Sequence, residues 1–160
     1  MKLMALSENH DYLKSLVGHW NAKSTMWAFP GTPPSVSQNS SEGSLIMGGR
    51  FLMMKYSGTM MGQPFEGLQI AGYDNLQKKY VIFWINNTST AFYLTTGTLD
   101  TSGKVMTETG DWPDLMTGET VKVRSVTRIL SPDEFVYETF MTGADGKEFK
   151  TMESHGVRKK

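Results

Sequence analysis

Cysteine is absent from the 160 residues, which removes disulfides, thiolate zinc sites, iron–sulfur clusters and cysteine nucleophiles together. An excess charge of either sign is also missing: 16 Lys plus Arg stand against 16 Asp plus Glu. No long-range field collects phosphate backbones or anionic lipid, so nucleic acid is not an expected partner. Long hydrophobic runs are lacking. The longest, Tyr80 to Ile85, falls far short of the roughly 20 residues a membrane helix needs, so no membrane partner is expected. Met1 to His10 contains neither a continuous apolar stretch nor a small-residue cleavage site, and the expected location is the cytoplasm. Histidine is scarce: His10, His19 and His155 follow no spacing that metal sites use. There is no glycine-rich phosphate loop, no G-x-S-x-G elbow and no His-Glu-x-x-His. No metal, no cofactor and no catalytic residue is assigned on these grounds.

What is present is a folded domain. Apolar residues make up 39% of the chain, and the length suits one domain over residues 1–160 with a sizeable core. A short amphipathic helix is predicted over His10–Val17, where Tyr12, Leu13, Leu16 and Val17 form one stripe and Gly18 stands at the C-terminal cap. Beyond it the rhythm becomes that of strands. Ten runs rich in Thr, Tyr, Phe, Val and Met follow: 20–29, 41–47, 50–60, 65–73, 80–86, 91–99, 104–110, 120–130, 135–142 and 148–158. Turn chemistry separates them, as in Gly48-Gly49, Gly62-Gln63-Pro64, Asp74-Asn75, Ser102-Gly103 and Asp145-Gly146. Pro30 to Ser41 reads as one long irregular loop, a candidate lid or a passive connector. Ten sequential short strands leave exposed edges unless they close on themselves. The predicted fold is all-β: a single antiparallel up-and-down barrel of about ten strands with a short N-terminal helix, wide enough to enclose a small ligand.

Alternation assigns some faces. Val121, Val123, Ser125, Thr127 and Ile129 share one side of their strand, and Phe135, Tyr137, Thr139 and Met141 share one side of the next. A two-residue turn at Asp145-Gly146 places Glu138 opposite Glu153 and Val136 opposite His155; a turn pairing Leu130 with Phe135 adds Thr127 to that face. Two carboxylates about 5 Å apart beside an imidazole suit acid/base work or a metal ion. The same pattern also describes a buried network or a solvated outer stripe, the plainest reading of the three. Twelve methionines, with Met53-Met54 and Met60-Met61 adjacent, suit a pocket that adapts to varied apolar guests, and equally a core that needs gap filling. Trp84, Phe83, Phe92, Tyr93, Phe135 and Tyr137 supply aromatic surface. Trp112 lies in a turn-rich link, as a plug or mouth residue.

The order of a helix, then Gly18-His19-Trp20 opening the first strand, then a meander ending in Arg158 resembles the calycin superfamily. In lipocalins such a tryptophan plugs the barrel floor beneath an arginine from a late strand. The resemblance gives Trp20 and Arg158 those structural roles, with Arg128 as a second candidate cation. Gly48-Gly49-Arg50-Phe51, Pro64-Phe65-Glu66-Gly67, Gly72-Tyr73-Asp74-Asn75, Lys78-Lys79-Tyr80-Val81, Trp84 with Thr90, and Asp145-Gly146-Lys147-Glu148 with Met152-Glu153 further resemble a bacterial family catalogued as domain of unknown function 1579. That family implies a lipocalin-like barrel with no settled activity.

The expected function is therefore binding of a small apolar or amphipathic molecule inside the barrel. Trp84, Trp112, Phe135, Tyr137 and Met141 are the candidate walls, and Arg124, Glu138 and His155 the candidate polar contacts, with Arg124 or Tyr137 able to take a ligand carboxylate. Three alternatives stand beside it. One is an acid/base enzyme using Glu138, Glu153 and His155. Another is haem binding through His155, as resemblance to nitrobindin-like barrels suggests. The last is a homodimer formed through exposed apolar strand faces.

Overall fold

The computed structural model describes residues 2–114 and 117–160. Two 3-10 turns, Lys2–Met4 and Glu8–His10, lead into α1 (Asp11–Ser15). Ten strands follow: β1 (Gly18–Met26), β2 (Ser35–Ile46), β3 (Phe51–Met60), β4 (Gln63–Asp74), β5 (Lys79–Asn86), β6 (Tyr93–Leu99), β7 (Val105–Pro113), β8 (Thr120–Ser131), β9 (Glu134–Thr142) and β10 (Glu148–Arg158). Each pairs antiparallel with its neighbours in sequence, and β1 pairs with β10 from Trp20↔Arg158 to Met26↔Met152. The meander thus closes into a barrel, and no strand is left with an unpaired edge. No described helix is long and apolar enough to cross a membrane.

Several boundaries differ from the sequence expectation. β2 begins at Ser35, so half of the predicted 30–41 loop is strand and the loop shrinks to residues 27–34. The Ser- and Gln-rich run 35–41 hid this strand because its inward side chains, Ser37, Asn39 and Ser41, meet a polar interior. Helix α1 stops at Ser15 because the chain must swing into β1 through Gly18, whose φ of 118° suits glycine. β7 runs on to Pro113, which puts Trp112 in a strand; Leu115 and Met116 of the following link lie outside the described residues.

The β9–β10 hairpin reaches its predicted pairing by an unpredicted route. The chain reverses with Glu148 opposite Thr142, one residue off the predicted frame, and a bulge between Lys150 and Met152 then restores it, so that Glu153 faces Glu138 and His155 faces Val136. In the β8–β9 hairpin a bulge between Ile129 and Ser131 has the opposite effect. Glu138 pairs with Val126 instead of Thr127, and Thr127 turns inward opposite Tyr137.

One end of the barrel is sealed. Tyr12 and Leu13 of α1 pack with Trp20, Leu52, Met54, Ala71, Tyr80, Ile82 and Met106 as a continuous apolar floor. The Tyr80 hydroxyl donates to Asn9 O at 2.6 Å, and the Trp20 indole N–H donates to Leu16 O at 3.0 Å. Arg158 lies over the Trp20 ring, its guanidinium carbon 4.1 Å from the ring centre, and donates to the carbonyls of Val17, Ser15 and Pro132. The arginine and tryptophan thus stack as expected, whereas Arg128 lies outside, paired with Glu138. Phe135 meets Trp20 edge-on at 5.0 Å. Gly156 makes room for that ring, since a Cβ there would collide with it.

Candidate functional site

Beyond the floor the inward faces change character. The pairings Met54↔Gln69, Gln69↔Trp84, Glu108↔Ser125, Ser125↔Thr139 and Tyr137↔Ser154 set polar side chains around the inside of the wall. Ser24 and Ser154 hydrogen-bond at 2.9 Å, Tyr56 donates to Gln69 at 2.8 Å and Tyr137 donates to Ser125 at 3.1 Å. Aromatic rings continue the wall. Tyr56 and Phe65 flank Trp84 at 5.2 and 6.2 Å, and Tyr93 meets Trp112 at 5.1 Å. Gly67 admits the Trp84 ring against its backbone, where any Cβ would collide. Tyr56, Gln69, Trp84, Tyr137 and Met141 all point inward, yet are only half-buried. These inward-facing side chains therefore keep some solvent contact past the floor instead of closing into a fully packed core.

Glu108 sits in this wall. It is 6% exposed and is the one inward-facing acid of the described strands. Thr95 donates to Oε2, and among the described residues no donor reaches Oε1. Burial pushes the carboxyl above the ordinary glutamate range, and the Thr95 bond opposes this only in part. Three tyrosines sense the same carboxyl. The Tyr137 hydroxyl is pushed up to about 12 by burial and then by Glu108. Tyr12 is raised by burial and then by Glu108, and Tyr56 by burial, Tyr137 and Glu108 in that order.

Of the residues singled out from sequence, Trp84, Trp112, Phe135, Tyr137 and Met141 lie on inward faces. Phe135 belongs to the floor; the other four border the upper wall. Arg124, Glu138 and His155 project outward, which corrects their assignment to an interior pocket. Arg124 grips Glu148 through Nε at 3.0 Å and Nη2 at 2.8 Å and lies over Phe140. Glu138 is held by Lys150 and Arg128, and Lys150 also reaches Glu153 at 2.6 Å. The Lys150 bond, then the Arg128 bond, lowers the Glu138 carboxyl, the opposite of what a shared-proton carboxylate pair requires. His155 Nε2 meets Glu134 at 2.6 Å on the outside, so it cannot reach a haem held inside the barrel. Phe83 and Phe92 also face out, 5.8 Å apart. Among the described residues no group of three His, Asp or Glu is placed to hold a metal ion.

The sequence reading passed over Glu108. In Val105–Gly110 both alternating faces mix polar and apolar residues, so period two alone selects neither. The available signal was the neighbouring strand: Glu108 pairs with Ser125, on the face that alternation had already given to Val121 and Val123.

Comparison with solved structures shows the same fold at low identity. The crystal structure of Rv2717c from M. tuberculosis superposes with a TM-score of 0.72 at 16% identity, covering 98% of this chain and 100% of that one. A redesigned β barrel superposes with a TM-score of 0.50, also at 16% identity, over 93% and 96% of the two chains. No curated protein matches the sequence. A family profile described as "Protein of unknown function (DUF1579)" matches residues 6–158, and the chain belongs to that family.

Proposed function

We propose that the barrel binds a small amphipathic molecule in its interior, with the apolar body against Trp84, Phe65, Trp112 and Met141 and a polar end toward the Glu108 region. The observation that carries this reading is the partial accessibility of inward-facing Tyr56, Gln69, Trp84, Tyr137 and Met141. A barrel filled for stability alone would bury them, because interiors pack to crystal-like density. Aromatic and Met side chains set beside converging polar groups are features that ligand sites share. An enzymatic reading has less support, since the expected acid/base cluster is outside and neutralised by Arg128 and Lys150.

The test uses N-phenyl-1-naphthylamine, which brightens on leaving water. Saturable, one-to-one enhancement is expected. Met141→Trp, which fills the interior, should weaken it tenfold or more, and Val136→Trp, on the outside, should leave it unchanged. Absence of a saturable signal, or equal effects of the two substitutions, would overturn the proposal.

A further inference from the structure

The interior is chemically one-sided. Glu108 is its single acid, and no Lys, Arg or His of the described strands turns toward it past the floor. Lys23, Lys55, Lys79, Lys122, Arg124, Arg128, Lys150 and His155 all occupy outward positions. Arg158 is engaged with carbonyls at the sealed end, and His10 with Ser7 beneath it. Buried carboxylates are ordinarily paired with a cation, because the isolated charge is costly to hold away from water. Glu108 has a hydroxyl donor on one oxygen and, among the described residues, none on the other.

The nearby tyrosine hydroxyls are already committed. Tyr56 donates to Gln69 and Tyr137 to Ser125, so what each hydroxyl has left is lone-pair capacity, and both hydroxyls lie within reach of the Glu108 charge. Across the barrel, Asn39 Oδ1 is a further buried acceptor without a partner. The unpartnered groups of the upper wall are thus Glu108 Oε1 and Asn39 Oδ1, which accept once Glu108 is ionised, and one donor, the buried Trp112 indole N–H; aromatic rings favour cations over their faces. A ligand carboxylate or phosphate would find no compensating base on the described strands.

From this geometry we infer that the ligand is a protonated amine with an apolar, aromatic-sized body, its ammonium seated on Glu108 Oε1 between the Tyr56 and Tyr137 rings. The inference rests on the binding reading above and names the class of molecule bound. In the empty barrel, burial favours the protonated carboxyl. An arriving ammonium favours the ionised carboxyl, so amine binding releases a proton wherever the empty site still holds it. Affinity for the amine then rises with pH until Glu108 would ionise unaided. The titratable groups facing Glu108 are Tyr12 from α1, Tyr56 from β3 and Tyr137 from β9. All three are raised above the ordinary phenol range and stay neutral through this window.

Calorimetry of the full chain with four probes sharing one ring system tests the inference: 1-naphthylmethylamine, 1-naphthalenemethanol, 1-acetylnaphthalene and 1-naphthoate. At pH 8 the amine is expected to bind at least tenfold more tightly than the alcohol, and the naphthoate more weakly than either. E108Q should lower amine affinity tenfold or more while leaving the alcohol within about threefold. Buffers of differing ionisation enthalpy should report proton release on amine binding that falls as pH rises, and none on alcohol binding. If E108Q does not fold, the ranking of the four probes on the unaltered chain decides. Equal or tighter binding of the alcohol, ketone or naphthoate refutes the amine assignment and leaves the carrier reading standing. Failure of all four probes to bind sinks both.

Discussion

Arg158 offers the sharpest test of how this barrel stays closed. It lies on β10 and stacks on Trp20 of β1, reaches the carbonyls of Ser15 and Val17 at the end of α1, and bonds Pro132 O in the β8–β9 turn. One side chain thus ties the closing seam, the plug and a turn together. Its replacement by Met keeps much of the apolar stem and removes the charge. The stacking contributes about 1 kcal/mol. Each of the three carbonyl contacts adds about 1 kcal/mol, the low end for bonds from a charged donor, because the side chain is 26% accessible and water can reach the freed carbonyls. The Asp133 pair is exposed at its acidic end and adds little. Arg158→Met should therefore cost about 3–4 kcal/mol, lowering Tm by about 6–15 °C for a chain of this size. Arg128→Ala, which breaks an outer ion pair, should cost less than about 1 kcal/mol. Urea titrations of both variants and of Arg158→Lys supply the measurement, with Lys expected between the other two because it keeps charge without the planar fork. A loss at Arg158→Met no larger than at Arg128→Ala would refute the role of this contact as the seam's clamp.

Two further outcomes follow from the interior electrostatics. Burial raises the folded-state pKa of Glu108 above its unfolded value, so below the ordinary glutamate pKa of about 4.3 both states hold the proton and nothing is lost. As pH rises, the unfolded chain ionises first, and stability declines until the folded carboxyl ionises too. Glu108→Gln should remove that decline, making the variant the more stable protein at pH 7 and equal to the parent near pH 4; parallel denaturant titrations showing no pH-dependent difference would contradict it. Phenol absorbance at 295 nm should show Tyr12, Tyr56, Tyr80 and Tyr137 still protonated at pH 11, the last two titrating near pH 12 if the fold survives. A six-tyrosine titration centred near pH 10 in folded protein would refute the buried hydroxyl cluster.

Much of the architecture was legible in the chain because strand length, turn chemistry and period two are local properties. The ten strands and the short N-terminal helix required no distant information; the Trp20–Arg158 contact was implied by the lipocalin resemblance, which left Arg128 as a second candidate. The failures have a common cause. Strand β2 starts earlier than its residues signal, because serine and asparagine favour loops and only a polar interior makes Ser37 and Asn39 acceptable inward residues. Arg124 was placed among the ligand contacts because a guanidinium has the right chemistry; its face was decided by Val123 and Ser125 on either side, and Glu148 then drew it outward. Thr127 changed its partner through one bulge, which no local pattern announced.

Alternation and turning are local, set by neighbours a few residues apart, whereas closure joins residues as distant as Trp20 and Arg158 and follows from ten strands having edges to satisfy. The sequence by itself also excluded thiolate chemistry and a phosphate loop. Only the tertiary structure decided which face was the inside. That choice placed Glu108 beside Tyr12, Tyr56 and Tyr137, residues from four separate elements, and left Glu138 and His155 in water. Side-chain direction in a barrel depends on register summed around the whole wall, so one bulge can change what the interior contains.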